Sequence, residues 1–151
     1  MVAVAKWLKQ IMIDNAALYK EQVIALLKAD NLPVDDLPET LDNFFVALID
    51  NEVVGVAGIE IYGNYGLLRS VAMSTDYRGH GIAKDLVEQI ILLGKSKRLS
   101  DLYLLTETAA EYFKKNGFAQ IEREAVPDKI KASSEFSHVC PVTAIVMKKS
   151  I

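Results

Sequence analysis

The chain has 151 residues, of which 51% are hydrophobic and 25% charged, and its formal net charge is -3. This composition is ordinary for one globular domain, and we expect neither a nucleic acid nor an anionic membrane as partner. The single cysteine, Cys140, excludes an internal disulfide and is typical of a reducing cytoplasm. No apolar run approaches about 18 residues and no signal peptide is recognisable, so we expect a cytoplasmic protein without a membrane span.

The first part of the chain has the pattern of a strand, a helix and a polar loop. Residues 4–13 are predicted to form the first strand, and Asp14 is the predicted N-cap of a helix that ends near Ala29. The prolines and acids of residues 31–38 are typical of a loop. One face of the helix is apolar and is expected to be buried: Tyr19, Val23, Leu26 and Leu27.

Three consecutive strands are predicted next, at residues 43–49, 53–62 and 67–73. Residues 50–52, with the sequence Asp-Asn-Glu, are predicted to form a tight hairpin turn between the first two strands. The turn at residues 63–66 begins and ends with glycine and leads into the third strand. Strands joined by such short turns pair in antiparallel fashion.

The rest of the chain alternates between helices and strands. A helix that ends near Lys97 is followed by a nearly all-apolar strand at 102–106 and a short helix at 107–116, which Gly117 ends. A strand at 118–124, a loop or helical turn at 127–134 and a closing strand at 142–148 complete the order. This order indicates an α/β domain with a mixed sheet. The longer helix has an apolar stripe: Ala83, Leu86, Val87, Ile90 and Ile91.

The segment between the third predicted strand and the longer helix has the features of a phosphate-binding loop. Its sequence is Arg78-Gly79-His80-Gly81-Ile82-Ala83. Glycines let a ligand approach the backbone, and the N–H groups and dipole at a helix N-terminus favour an anion. The simpler alternative is an ordinary helix N-terminus in which the glycines only form the turn before the helix. A third glycine for a dinucleotide fingerprint is missing, and so is the Gly-Lys-Ser/Thr of a P-loop.

Arg78, Gly81 and Ala83 stand where the acetyl-CoA pyrophosphate loop of the GNAT superfamily of N-acetyltransferases has its fixed residues, and the loop resembles that motif. The resemblance extends over nearly the whole chain, through the element order and the Gly117-Phe118 pair after the short helix. It implies a GNAT-like acyl-CoA N-acyltransferase fold for a single domain of residues 1–151. In that fold a mixed, mostly antiparallel sheet is splayed between its fourth and fifth strands.

Two further segments resemble narrower groups within this superfamily. Residues 67–72 and 104–109 are similar to the acetyltransferases of bacterial arsenic-resistance operons and to the catalytic domain of N-acetylglutamate synthases. Residues 134–136 and the Cys140-Pro141 pair favour the arsenic-resistance branch. A single cysteine cannot supply the several thiolates of an arsenite site. We predict no metal site.

The resemblance implies acetyl-CoA as cosubstrate and assigns residues to its binding. A bulge in the fourth strand is expected at residues 71–73, where freed backbone groups would hold the pantetheine arm and the thioester carbonyl. Met73 is therefore included among the catalytic residues, and Thr106 takes the place of a family asparagine. Arg69 and Ser70 are the predicted substrate-binding residues, and Arg69 would bind a substrate carboxylate. The alternative for Arg69 is a structural ion pair with Glu60 or another carboxylate on a neighbouring strand. The full set of predicted cofactor-binding residues is Val71, Ala72, Met73, Arg78, Gly79, His80, Gly81, Ile82, Ala83 and Thr106.

The acid and base of the reaction have no unambiguous candidates. Phe113 stands where the family often has a tyrosine that protonates the leaving thiolate, and the neighbouring Tyr112 is the alternative acid. Glu107 and Glu60 are candidate bases, although each has an ordinary interpretation as a solvated carboxylate. Proton transfer through water is a further alternative.

The predicted function is acetyl transfer from acetyl-CoA to the amine of a small molecule, an amino acid or an amino-acid-like toxin, by direct attack on the thioester. Acetylation of a protein N-terminus or lysine is one alternative. A regulator that binds acetyl-CoA without catalysing a reaction is another alternative, because Phe113 stands where the family often has its acid. The sequence is compatible with a homodimer.

Overall fold

A computed structural model describes residues 10–134, 136–137 and 143–151. Within these residues the chain forms two compact units. The first contains the chain up to Gly58 together with Ser70–Ile90, and the second contains Ile59–Arg69 together with Ile91–Ile151. The chain therefore passes from one unit to the other within its longest strands and its longest helix.

The described strands form one mixed sheet in the order β1-β2-β3-β4-β5-β7-β6. The fourth and fifth strands are parallel, whereas the β1–β2, β2–β3, β5–β7 and β6–β7 pairs are antiparallel. This arrangement confirms the predicted mixed and mostly antiparallel sheet. The strands are β1 (Met12–Asn15), β2 (Phe44–Ile49), β3 (Glu52–Tyr62), β4 (Tyr65–Met73), β5 (Asp101–Thr106), β6 (Ala119–Gln120) and β7 (Ile145–Ser150).

Helices and short 3-10 turns connect the strands. The α-helices are α1 (Lys20–Ala29), α2 (Ile82–Ser96), α3 (Ala110–Lys115) and α4 (Asp128–Lys131). The 3-10 turns are Ala16–Leu18, Thr75–Tyr77 and Arg123–Ala125. None of the helices in the described ranges is long and apolar enough to cross a membrane.

The beginning of α1 differs from the prediction. Asp14 is not its N-cap, because this residue lies in β1 and pairs with Val46. The side chain of Asn15 instead accepts a hydrogen bond of 2.9 Å from the N–H of Ala17 and caps a 3-10 turn. The α-helix begins only after Tyr19. Of the predicted first strand, residues 4–9 lie outside the described part of the chain.

The core of the first unit confirms the predicted apolar face of α1. Val23 and Leu27 are fully buried, while Tyr19 and Leu26 are partly buried against the same cluster. The cluster takes its other buried members from the 3-10 turn after β1, the loop before β2 and the strands: Ala16, Leu41, Phe44, Val46, Leu48, Val56 and Ala72.

The predicted hairpin between β2 and β3 is confirmed. Asp50 and Asn51 both have left-handed backbones, with φ of 51° and 66°, as a two-residue turn of type I′ requires. The next turn is shorter than predicted, because only Gly63 and Asn64 separate β3 from β4. The longer helix ends at Ser96, close to the predicted end near Lys97. Ile82 is also buried, although the predicted apolar stripe did not include it.

The last third of the chain contains less strand than the pattern predicts. The strand expected at 118–124 is only Ala119–Gln120, because a 3-10 turn follows at Arg123–Ala125. Arg123 anchors this turn by donating a hydrogen bond to the carbonyl of Ala144. The closing strand begins at Ile145 instead of residue 142, which lies outside the described residues. The buried residues of this unit include Leu67, Tyr103, Val126, Ile130 and Val146.

Candidate functional site

The predicted phosphate loop forms an open backbone turn at the start of α2. Gly79 and Gly81 have φ of 83° and 80°, in the left-handed region that favours glycine. The helix begins at Ile82, and the N–H of Asp85 donates to the carbonyl of Gly81. The first-turn N–H groups of a helix have no carbonyl partners within it, and its dipole makes this end positive. The loop therefore presents donors where an anion would be stabilised.

The space beside both glycines is open. A Cβ added to Gly79 or Gly81 would meet no atom of the described chain within 4 Å. Their lack of a side chain is therefore explained by backbone conformation and by access, and not by crowding. His80, between them, is exposed. A diphosphate could approach the backbone here without displacing protein atoms.

Arg78 is held by two acceptors of the protein. Its Nη2 lies 2.7 Å from Oδ1 of Asp30, and its Nε donates to the carbonyl of Met73 at 3.2 Å. The second bond ties the loop to the end of β4. An arginine has five N–H donors, so these bonds do not exhaust its capacity. Asp30 was not predicted from the sequence, because it lies 48 positions before Arg78 and no local pattern relates the two.

The fourth strand is distorted one residue before the predicted position. Ser70 has φ of 57° within β4, whereas the bulge was expected at residues 71–73. A left-handed residue turns the strand that follows it and changes the direction of its backbone groups. Ala72 and Met73 are buried, and the Met73 side chain packs over Gly55. These side chains therefore belong to the core, as the sequence indicated, and only the backbone remains available for a ligand.

The fourth and fifth strands separate partway along their length. They pair from Tyr65–Leu67 to Asp101–Tyr103, although β4 continues to Met73 and β5 to Thr106. On its other edge β5 stays paired with β7 as far as Thr106 opposite Ile145. Within the described residues, pairing is therefore lost on one edge of β5 only. This confirms the predicted splay.

Arg69 is buried in the second unit beside a carboxylate. Its residue is 3% exposed, and its Nη1 lies 3.4 Å from Oε1 of Glu60 on β3. A buried guanidinium needs such partners, because an unpaired charge would be strongly destabilised. The ion pair that competed with substrate binding as an explanation of Arg69 is thus present. The contact is long for an ion pair, and the Glu60 side chain is 20% exposed.

Thr106 has a local structural role that the sequence did not reveal. Its hydroxyl oxygen accepts a hydrogen bond of 2.9 Å from the N–H of Ala109. This bond organises the turn before α3, which begins at Ala110 and not at the predicted position 107. The hydroxyl can still donate a hydrogen bond to a ligand. Glu107 is exposed on the same turn.

Phe113 is a packing residue. It is 6% exposed and makes edge-on contacts with the rings of Phe118 and Tyr112, with centroids 5.6 and 5.2 Å away. The N–H of Phe118 bonds the carbonyl of Phe113, and Gly117 has φ of 92°. This is a Schellman C-cap, so the prediction that Gly117 ends the helix is confirmed. A phenyl ring in this place cannot donate a proton.

Replacing Tyr112 with phenylalanine should therefore lower acetyl transfer by less than about tenfold. Tyr112 is 36% exposed, and a model thiol has a pKa of about 8.5, so a leaving thiolate can be protonated without a dedicated acid. The measurement is kcat with saturating acetyl-CoA. A loss of the 10²–10⁴ size that is typical of general-acid removal would instead assign the proton to Tyr112.

The described residues contain no group of three or more His, Cys, Asp or Glu side chains that could hold a metal ion. Cys140 lies outside the described residues.

Comparisons with known proteins relate the chain to acetyltransferases. A family model described as an acetyltransferase (GNAT) domain matches residues 40–120. An uncharacterized N-acetyltransferase of Chlorobaculum tepidum is 31% identical over 98 residues, which are 64% of this chain and 63% of that protein. The amino-acid acetyltransferase of Escherichia coli is 26% identical over 99 residues. These residues are 64% of this chain but only 22% of the length of the Escherichia coli protein. This chain thus spans less than two thirds of either relative.

A solved structure shows the same fold. The N-acetylglutamate synthase of Neisseria gonorrhoeae, complexed with coenzyme A and N-acetyl-glutamate, superposes with a TM-score of 0.76 and 15% identity. The match covers 93% of this chain and 35% of that one. At this identity the likeness concerns the fold alone.

Proposed function

Because the chain belongs to the acetyltransferase (GNAT) family, we propose that it is an N-acetyltransferase that uses acetyl-CoA and acetylates the amine of a free amino acid or a similar small molecule. The observation that carries the proposal is the loop at the start of α2. Its two left-handed glycines leave the backbone open on a helix N-terminus.

The residues of the loop fit the diphosphate of acetyl-CoA. The backbone N–H groups of residues 79–83 would bind phosphate oxygens, and the open space at Gly79 and Gly81 allows close approach. Arg78 adds a permanent positive charge. The bound cosubstrate supplies an acetyl group that is activated as a thioester.

The chain's own backbone groups then have two tasks. Backbone groups of residues 71–73, beyond the distortion at Ser70, would hold the pantetheine arm and donate to the carbonyl oxygen as it gains negative charge. Because Phe113 cannot act as acid, solvent or the proton released by the amine would protonate the leaving thiolate.

The amino-acid substrate is supported by Arg69. A buried guanidinium suits a carboxylate, which it can bind through two parallel hydrogen bonds, and Arg69 precedes Val71 by two residues on β4. A carboxylate held there would fix the adjacent α-amine for attack. The amino-acid acetyltransferases among the relatives agree with this class of substrate. The narrower resemblance to arsenic-resistance enzymes stays a prediction.

The test is mass spectrometry of a panel of free amino acids, their decarboxylated analogues and lysine-containing peptides after incubation with acetyl-CoA and the protein. We expect acetylation of one or more free amino acids. Acetylation of peptides alone would favour a protein acetyltransferase. Binding of acetyl-CoA without any acetylated product would favour a regulator, for which Phe113 is the supporting observation.

A further inference from the structure

The Asp30–Arg78 ion pair links the end of α1 to the phosphate loop. Both residues belong to the first unit, and the contact of 2.7 Å joins side chains that are 32% and 51% exposed. Asp30 is the C-cap of α1 and precedes Asn31, whose φ is 56°. The pair therefore connects the C-cap of α1, directly before the loop of residues 31–38, to the phosphate loop.

The stability of α1 does not explain the carboxylate at this position. The C-terminal end of a helix carries a partial negative charge, so an aspartate there is electrostatically unfavourable. The left-handed C′ position is the next residue, Asn31, and Asp30 itself has φ of -99°, so the end of the helix does not require a carboxylate at residue 30. The favourable partner of Asp30 is Arg78, and this contact accounts for the acidic residue.

The Asp30 carboxylate can also be replaced on Arg78 by another anion at little energetic cost. Exposed pairs contribute little, because water screens them and both side chains lose freedom. A phosphate group presents several oxygens and can bind a guanidinium through two parallel hydrogen bonds. A diphosphate on the loop would therefore displace the Asp30 carboxylate from Nη2 of Arg78, because two anions on one guanidinium repel each other, while the bond from Nε to the Met73 carbonyl keeps the guanidinium in place.

We propose that Asp30 is a positioning residue that competes with the diphosphate of the cosubstrate for Arg78. It orients the guanidinium until the anion arrives and is then released, which frees the residue directly before the 31–38 loop. This inference rests on the proposed function. It predicts that the wild-type chain binds coenzyme A more weakly than the same chain without the carboxylate.

The experiment is calorimetric titration of coenzyme A into the wild type and Asp30→Asn. We expect Asp30→Asn to bind about two- to five-fold more tightly, the size of an exposed ion pair. In an Arg78→Ala background the same substitution should have no effect. Pantetheine, which lacks the diphosphate, should bind the wild type and Asp30→Asn equally.

Asp76→Asn is the matched control. Asp76 is an exposed residue two positions before Arg78 and does not bond it, so its removal changes the net charge equally. The proposal would be overturned if Asp76→Asn raised the affinity for coenzyme A equally, or if Asp30→Asn still raised it in the Arg78→Ala background. Either result would mean that only the net charge of the protein matters. Unchanged or weaker binding in Asp30→Asn would also overturn it. Asp30→Ser serves if the first variant does not fold.

Failure of the proposed function has a different outcome. A folded wild-type protein that binds no coenzyme A would refute the proposed function itself, and with it the competition. A wild type that binds coenzyme A with an affinity that Asp30→Asn does not improve would refute only the role of Asp30.

Discussion

Gly81→Val should abolish binding of acetyl-CoA while most of the fold is retained. A Cβ at this position meets no atom of the described residues within 4 Å apart from its chain neighbours, so the valine side chain would project into the space through which a diphosphate would reach the backbone. We expect at least about a 100-fold loss of affinity, or about 2.7 kcal/mol. The measurement is calorimetric titration of acetyl-CoA, with circular dichroism as the check on folding.

Backbone strain must be separated from steric exclusion in this experiment. Gly81 has φ of 80°, which costs a residue with a Cβ about 1–2 kcal/mol. Gly81→Asn reduces this cost, because asparagine tolerates the left-handed region, but it still places a side chain in the loop. Gly63→Asn makes the same change at a turn with φ of 62° in the second unit and should leave binding unchanged. Undiminished affinity in folded Gly81→Val would contradict the assignment of the loop.

Arg69→Lys should lower acetylation of a free amino acid by at least about tenfold in kcat/KM, or about 1.4 kcal/mol. Lysine keeps the positive charge but loses the planar fork that binds a carboxylate through two hydrogen bonds. Melting temperature and acetyl-CoA affinity should change little. The decarboxylated analogue of the same amino acid is the matched control substrate, and its acetylation should be insensitive to the substitution.

The structural alternative for Arg69 makes the opposite prediction. If the ion pair with Glu60 is its whole role, Arg69→Lys should lower the melting temperature and leave turnover per folded molecule normal. Glu60→Gln, which breaks the same pair from the other side, should then lower the melting temperature to a similar extent. Equal loss of activity with and without a substrate carboxylate would also argue against the clamp.

Features that depend on neighbouring residues were predictable from the sequence. The type I′ turn at Asp50 and Asn51, the C-cap at Gly117 and the left-handed glycines of the phosphate loop each follow from backbone preferences within a few residues. The buried face of α1 follows in the same way, from apolar residues that recur at helical spacing. In these places local chemistry and the final structure agree.

Features that join distant parts of the chain were decided by the tertiary structure. The partner of Arg78 is Asp30, which no local pattern relates to it, and the choice of Glu60 for Arg69 depends on strand pairing. The left-handed backbone of Ser70 occurs at a residue that is not glycine, and the 3-10 turn that follows β6 contains Arg123, which donates a hydrogen bond to the distant carbonyl of Ala144. The sequence alone thus determined the order of most elements and the glycine turn at the start of α2, whose requirements are local. Only the folded chain determined the partners of its charged side chains, because those partners come from other elements.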